Sequence, residues 1–168
     1  MTELDLSQFI LWYQQAGTPI LSVSETWENN FLKLSFHQEI PDTPGQSNKK
    51  PHLIPVDIGL LDKDSGAMIH SQNLKVSKTE EEFVFGPYDR RPIPSLLRDF
   101  SAPVILKQNI DKERLAFIFE HETDSFNRWE AGRKLCENSL FNMISEGALP
   151  DNVYLESLNK LIRNDTLD

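Results

Sequence analysis

The sequence has one cysteine, few glycines and no long apolar run, and each scarcity excludes a class of protein. With Cys136 alone, no disulfide can form within the chain, and nothing points to an oxidising compartment. The 7 glycines include no glycine-rich loop of the kind that cradles phosphates. No stretch approaches the roughly 20 apolar residues of a membrane span, and the N-terminus lacks the basic start and apolar core of a signal peptide. We therefore expect a cytoplasmic protein with no membrane partner.

Positive charge is also scarce. Against 26 Asp and Glu the chain has 17 Lys and Arg, which gives a net charge of -9 near neutral pH. Proteins that bind nucleic acids need a patch of Lys and Arg for the phosphate backbone, and anionic membrane surfaces attract basic segments. The charge therefore argues against nucleic acid as a partner, and equally against a membrane surface.

Near its N-terminus the chain has a short amphipathic segment. Phe9, Trp12 and Tyr13 recur at the i, i+3, i+4 spacing of one helix face, with Asp5 or Ser7 available as the cap. We expect one helix here, ending before the extended stretch that follows.

From residue 18 to residue 109 the spacing changes to that of β-strands. Apolar and polar side chains alternate, and turn signals such as Asp64-Ser65-Gly66 recur about every ten residues. Six or seven short strands are predicted, which is the pattern of an antiparallel β-sandwich. The inward-facing positions that the alternation predicts are Leu32, Leu34, Phe36, Ile54, Val56, Ile58, Leu60, Phe83, Phe85, Val104 and Leu106.

After residue 109 the spacing becomes helical again and predicts three helices, so the expected fold is mainly β with α. Asp111 is the expected N-cap of the first helix and Asp124 or Ser125 that of the second, which Gly147 ends. Three helices are too few to bury all of their apolar stripes, so we expect both ends of the chain to belong to something larger. These stripes are Leu115, Ile118 and Phe119 in the first helix, Phe126, Trp129, Cys136, Leu140 and Met143 in the second, and Tyr154, Leu158, Leu161 and Ile162 in the third.

The search for catalytic residues gives one false start. HETDS, from His121 to Ser125, opens like the zinc-peptidase motif His-Glu-x-x-His, but Ser125 stands where the second histidine is required. The 4 histidines include no pair at i, i+4 spacing, and we interpret them as solvent-facing or hydrogen-bonded side chains. Cys136 lies within the apolar stripe of its helix and is interpreted as a buried structural thiol. HETDS is better explained as the junction between two helices.

Three longer stretches carry a family resemblance: FILWYQQAGTPIL, RRPIPSLLRDFSAPVIL and HETDSFNRWEAGRKL. In this order and spacing they resemble the middle of bacterial aminopeptidase N, a family of zinc-dependent alanyl aminopeptidases of the gluzincin class. In that family a helix ends the catalytic domain, an immunoglobulin-like β-sandwich follows, and a large helical domain comes next. The resemblance implies residues 1–16 as a helix from the end of a catalytic domain, 17–109 as the immunoglobulin-like sandwich and 110–168 as the truncated start of a helical C-terminal domain.

The resemblance also implies an activity for the family, the removal of N-terminal residues from peptides by water activated on zinc. In the family the zinc ligands and the general base lie upstream, in the catalytic domain. We therefore assign no catalytic, cofactor-binding or metal-binding residue here, and we expect the segment to be inactive alone while its parent enzyme holds zinc. The expected partners are the catalytic and helical domains of the same parent chain, with peptides as substrates of the parent.

Within such a parent the predicted role of the segment is that of a rigid spacer. Phe126 and Trp129 are candidate packing anchors at the sandwich–helix junction, and Arg128 is expected to point elsewhere and pair with an acid. Truncation of Trp129 to alanine is expected to cost on the order of 3 kcal/mol or more. Two alternatives remain. One is a free-standing immunoglobulin-like binding module for a protein or carbohydrate ligand; the other is a small independent hydrolase, which lacks a paired nucleophile and base.

Overall fold

The computed structural model describes residues 5–164, and within them the order of elements is one short helix, seven strands and three helices. The expected fold class, mainly β with α, is confirmed. The strands are β1 (Ile20–Glu28), β2 (Phe31–Glu39), β3 (Ile54–Leu61), β4 (Met68–Val76), β5 (Glu80–Phe85), β6 (Ile93–Leu96) and β7 (Ile105–Gln108). The helices are α1 (Leu11–Gln14), α2 (Lys112–His121), α3 (Ser125–Glu146) and α4 (Asn152–Ile162), and a short 3-10 turn lies at Arg98–Phe100.

The chain divides into two compact units. The first contains the chain up to Asp57, Gln72–Pro92 and Phe100–Asn109. The second contains Ile58–Ser71, Ile93–Asp99 and the chain from Ile110 onward. Strands β3 and β4 therefore contribute residues to both units, whereas all three long helices belong to the second.

The first unit is built on a four-stranded sheet with strand order β5-β2-β1-β7. The alternation predicted for β2 is confirmed, since Leu32, Leu34 and Phe36 are at most 2% exposed while His37 on the opposite face is exposed. Strand β1 pairs antiparallel with β2 over its whole length. Strand β1 pairs parallel with β7 on its other side. A parallel neighbour requires a crossover rather than a hairpin, and the chain makes that crossover through the intervening strands.

The other sheet has the order β4-β3-β6, with β3 in the centre. The predicted inward residues of β3, Ile54, Val56, Ile58 and Leu60, are all fully buried. Within the second unit β3 pairs antiparallel with β6, so that Ile58 lies opposite Leu96. The clean alternation of β3 in the sequence thus reflects a central strand with one completely buried face.

Edge strands match their predicted burial less closely. Phe85 of β5 is buried, whereas Phe83 and Leu106 are half-buried. Val104 is also half-buried and precedes β7 rather than lying in it. An edge strand has a neighbour on one side only, so its inward side chains are covered less completely than those of β2 or β3.

The turn predicted between β3 and β4 is confirmed. The Asp62 amide donates to the Ala67 carbonyl at 2.8 Å, and the Asp62 carboxylate accepts from the Ser65 amide at 2.8 Å. Gly66 has a φ of 71°, and a Cβ at this position would lie 2.3 Å from Nδ1 of His121. Both the backbone conformation and the close approach to the end of α2 therefore require glycine here.

The predicted N-terminal helix is shorter than expected. It begins at Leu11 rather than near residue 6, and Ile10 occupies the N-cap position without a side-chain cap. Asp5 accepts a hydrogen bond from the Ser7 amide at 2.9 Å, which forms a turn ahead of the helix instead of capping it. Turns precede the 4-residue helix, and one of them is closed by the bond from the Ile10 amide to the Leu6 carbonyl at 3.0 Å.

Helices α2 and α3 begin at the predicted caps, and α4 begins at Asp151, for which no cap was predicted. Asp111 accepts from the Arg114 amide and Asp124 from the Asn127 amide. Gly147 adopts a left-handed conformation with a φ of 64° and ends α3. The helices enclose a core of Leu115, Ala116, Ile118, Phe119, Ala131 and Leu135, against which Ile93, Ile110, Val153, Tyr154, Leu158 and Leu161 pack.

The apolar stripe predicted for α3 is not the face that packs in the helical core. The residues of α3 that are buried are Ala131, Gly132, Leu135 and Ser139, whereas Leu140 is 51% exposed. A Cβ on Gly132 would lie 2.6 Å from the Phe119 ring, so the helix turns its small residues toward α2 and admits that ring. The larger side chains of the predicted stripe, Phe126, Trp129, Cys136, Leu140 and Met143, are half-buried or exposed, and Cys136 is therefore not the fully buried thiol expected.

Candidate structural junction at the turn between α2 and α3

HETDS is confirmed as the junction between two helices. Glu122 is the C-cap of α2, with its amide bonded to the Ile118 carbonyl at 2.9 Å. Asp124 is the N-cap of α3, and its Oδ1 accepts from the Asn127 amide at 2.8 Å. Ser125, which stands where a zinc motif requires histidine, is the first residue of α3 and exposed.

Glu122 is the buried centre of this junction. Its side chain is completely buried, and Oε1 accepts hydrogen bonds from the amides of Thr123 at 2.7 Å and Asp124 at 2.9 Å. The Arg98 guanidinium lies 3.2 Å from the same oxygen and also donates to the Thr123 hydroxyl. A carboxylate taken out of water is stabilised only if opposite charge and donors replace the lost hydration, and here Arg98 and two amides do so.

Asp124 ties the start of α3 to the segment that follows β6. While its Oδ1 caps the helix, its Oδ2 accepts from the Asp99 amide at 3.0 Å. Asp99 and Leu97 both have left-handed backbone conformations, with φ of 53° and 57°. Such conformations are unfavourable for residues with a Cβ and persist where surrounding bonds hold them. The bond from the Asp99 amide to Asp124 and the ion pair of Arg98, which lies between the two strained residues, supply that restraint.

Asn127 and Arg114 fasten the two helices to β6. The Asn127 amide group donates to the Ser95 hydroxyl at 2.8 Å and to the Leu96 carbonyl at 2.9 Å. Arg114 of α2 donates to the Pro94 carbonyl at 2.9 Å. Ser95 is 2% exposed, so these polar groups are satisfied inside the protein rather than by solvent. Arg98 and Asn127 lie within the stretches that carry the family resemblance, but the sequence shows no sign of these bonds, because their partners lie 25 and 32 residues away along the chain.

The contacts of Arg128, Trp129 and Phe126, the three predicted junction residues, differ from those expected from the sequence. Arg128 donates from both Nε, at 2.8 Å, and Nη2 to the main-chain carbonyl of Glu122, so it caps the C-terminus of α2 instead of pairing with a carboxylate. Trp129 is 58% exposed, and the large burial expected of its side chain is not found in the described part of the chain. Its ring lies 6.0 Å from that of half-buried Phe126, with the Arg133 guanidinium 5.8 Å from the ring centre. The anchor role of Phe126 and Trp129 stays a prediction.

This arrangement connects the ends of α2 and α3 to each other and to β6. One buried ion pair, two helix caps and two side-chain bonds to β6 converge on a turn of three residues. Among residues 5–164 no group of three or more His, Cys, Asp and Glu side chains is placed to hold a metal ion, so the described residues do not fit a zinc site. Nor does any helix in that range have the length and apolar character to cross a bilayer.

Two family models and a solved structure match this chain. A family model described as a domain of unknown function (DUF3458) with an Ig-like fold matches residues 17–109, and one described as DUF3458_C, ARM repeats, matches residues 112–168. A solved structure of Legionella pneumophila aminopeptidase A in complex with aspartic acid superposes with a TM-score of 0.81 at 31% sequence identity, and it covers 97% of this chain.

Curated relatives point the same way. Aminopeptidase N of Escherichia coli (strain K12) is 37% identical over 144 residues, which is 80% of this chain. Aminopeptidase N of Caulobacter vibrioides is 34% identical over 170 residues, which is 98% of this chain. The chain spans 16% of the length of the first relative and 20% of the second. In sequence and in fold, the chain belongs to the aminopeptidase N family, whose members it matches across an Ig-like domain and adjoining ARM-type helices.

Proposed function

We propose that this chain is a non-catalytic structural segment of a cytoplasmic, zinc-dependent aminopeptidase that removes N-terminal residues from peptides. In this proposal residues 1–16 end a catalytic domain that holds the zinc, 17–109 form the sandwich, and 110–168 begin a helical cap. The segment sets the spacing between the catalytic domain and that cap. The observation that carries the proposal is the match to aminopeptidase N relatives over most of this chain but only about a fifth of theirs.

An exposed apolar surface on the N-terminal segment supports a partner on that side. Tyr13 is 81% exposed, and its ring packs edge-on against the ring of Phe9 at 5.9 Å. Exposed apolar side chains of this kind, when they cluster, mark surfaces that other protein elements cover. The members of this cluster are Leu6, Phe9, Ile10 and Tyr13.

A second apolar surface lies on the helices, and it supports the proposed helical cap. Ile144 is 82% exposed and Leu149 is 87% exposed, although both are large aliphatic residues. A helical repeat of the ARM type buries its apolar face against the next repeat in the array, since one repeat cannot do so alone. The exposed apolar residues of α3 and the following turn are Leu140, Phe141, Ile144 and Leu149.

The proposal is tested in two steps. The 168-residue chain, assayed with an alanyl test substrate and added zinc, is expected to show no hydrolysis. The matching region of the Caulobacter vibrioides enzyme is then replaced by this chain, and the chimera is expected to hydrolyse that substrate. Ile144→Asp in the chimera is expected to lower the activity by about tenfold or more, because misplacement of a domain by an ångström is costly to catalysis.

Asn138→Asp is the matched control, since it puts the same charge on another exposed position of α3. Turnover by the isolated chain would contradict the non-catalytic role. A chimera that is inactive, or one in which Ile144→Asp and Asn138→Asp behave alike, would contradict the spacing role.

A further inference from the structure

The N-terminal segment is held in the first unit by side chains that bond to the main chain of one loop. Trp12 donates from its indole nitrogen to the Leu53 carbonyl at 3.0 Å. Gln8 donates to the Pro51 carbonyl at 3.1 Å. Gln15 bonds to Lys50 twice, accepting from its amide at 2.7 Å and donating to its carbonyl at 2.8 Å. Side chains of the N-terminal segment thus bond to main-chain groups of residues 50–53.

Lys49 holds the end of the same segment. Its ammonium group donates to the carbonyls of Ala16 and Pro41, both at 2.6 Å, and to the Thr43 hydroxyl at 2.8 Å. All three of its donors are therefore used, and a positive charge is fixed beside the loop that carries His52.

His52 lies at the centre of this attachment. It is 1% exposed, and its ring stacks on that of Trp12 with centroids 4.5 Å apart and an interplanar angle of 28°. Its main chain is fixed from the other side by Gln38 of β2, which accepts from the His52 amide at 2.8 Å and donates to its carbonyl at 3.0 Å. These bonds hold the main chain of His52 in place beneath the N-terminal segment.

The neighbour of the imidazole favours its neutral form. Nε2 of His52 lies 3.4 Å from Nε2 of Gln15. Because both ends of the Gln15 amide are committed to Lys50, its nitrogen and not its oxygen faces the ring. An amide nitrogen only donates, so Nε2 of His52 acts as the acceptor and carries no proton. A proton on that nitrogen would place two donors against each other in a buried site.

We propose that His52 is a pH-sensitive latch, on which the N-terminal segment docks only while the imidazole is neutral. Protonation of Nε2 opposes the Gln15 contact and frees the Trp12 ring and the residues on either side of it. This inference concerns contacts within the first unit, and it holds whether or not the chain belongs to a zinc enzyme.

The surroundings of His52 also favour the neutral imidazole. Burial lowers the pKa of His52 below its ordinary value of 6.5, the Lys49 ammonium lowers it further, and the Leu11 carbonyl acts in the opposite sense. From the N-terminal segment the ring meets Trp12 and Gln15, neither of which titrates in this range. Because the pKa is lowered in the docked state, docking is complete above about pH 6.5 and is lost progressively as the pH falls below it.

The latch is tested by NMR on the 168-residue chain. The indole N–H signal of Trp12, assigned from Trp12→Phe, is followed together with the imidazole signals between about pH 8 and pH 5. We expect the Trp12 signal to shift or disappear with the same midpoint as the titration of His52, and that midpoint to lie below about 6.5. In His52→Gln the Trp12 signal is expected to stay constant, whereas His37→Gln, at an exposed histidine, keeps the wild-type behaviour.

A second variant keeps the test decisive if His52→Gln folds poorly. Gln15→Met removes the donor that faces Nε2, so the midpoint of His52 is expected to move upward. A Trp12 signal that is constant through the titration of His52 in the wild-type chain would overturn the proposal. So would an unchanged midpoint in Gln15→Met, or an unchanged pH dependence in His52→Gln.

Discussion

At the scale of single residues, the junction shows how a buried charge is accommodated. Glu122 is completely buried, yet a guanidinium and two amides surround one of its oxygens. Buried ion pairs contribute little when compared with apolar pairs of the same size, but the removal of one partner leaves a charge without compensation. The expected effect of a substitution here therefore depends on whether one partner or both are replaced.

We predict that Arg98→Met lowers the free energy of unfolding by about 3 kcal/mol, because it leaves the Glu122 carboxylate buried without its counter-charge. The double variant Arg98→Met with Glu122→Leu is expected to recover much of that loss. Urea unfolding of the wild-type chain, the two single variants and the double variant measures the coupling.

Lys33→Met is the control, since its pair with Glu82 at 3.2 Å is exposed on both sides and such pairs contribute about 1 kcal/mol or less. Purely additive losses in the Arg98 and Glu122 variants would show that the two side chains do not stabilise each other.

At the scale of elements, the sequence predicted strands and helix starts well because their causes are local. The alternation of Leu32, Leu34 and Phe36 is set by the pleat of a single strand, and the caps Asp111 and Asp124 bond to amides three residues away. Which face of α3 is buried was not predictable in this way. The buried face of α3 combines Leu135 with the small residues Ala131, Gly132 and Ser139, and the Phe119 ring packs against Gly132 there.

Two alanine substitutions on α3 test this corrected face. Leu135 is 3% exposed in the helical core, so Leu135→Ala is expected to lower the free energy of unfolding by about 2 to 5 kcal/mol. Trp129 is 58% exposed, so Trp129→Ala is expected to cost about 1 kcal/mol or less in the 168-residue chain, despite the larger side chain removed. Thermal melts by circular dichroism give both values, and a larger loss for Trp129→Ala than for Leu135→Ala would contradict the assigned face.

At the scale of the whole molecule, shifted ionisable groups occur in both units. In the first, burial lowers the pKa of His52, and bonds from Ser35 and Lys33 lower that of Glu82. In the second, Arg133 lowers the pKa of Glu130, and Lys112 lowers that of Asp151. Each lowered pKa means that the unfolded chain takes up a proton at a higher pH than the folded chain does. All of these groups therefore stabilise the fold at neutral pH and cease to do so on acidification.

We predict that the melting temperature falls in two stages as the pH is lowered. The first begins below about pH 6.5, where His52 takes up a proton in the unfolded chain but stays neutral in the folded chain because its pKa is lowered there. The second begins below about pH 4.5, where the carboxylates with lowered pKa values start to protonate in the unfolded chain. His52→Gln is expected to abolish the first stage and leave the second. Melts between neutral pH and about pH 3 measure both, and a first stage that survives in His52→Gln would contradict the assignment.

The contact of Gly132 with the Phe119 ring has a practical consequence for redesign of the surface. Of the bulky side chains of α3, Leu135 packs in the core beside Gly132, whereas Trp129, Leu140, Phe141 and Ile144 are exposed on the outer face. That face is open to substitution by polar residues without any repacking of the interior. Leu140 and Ile144 are thus the positions at which a more soluble form of the isolated chain is best sought, whereas Gly132 tolerates no added methyl group unless Phe119 moves.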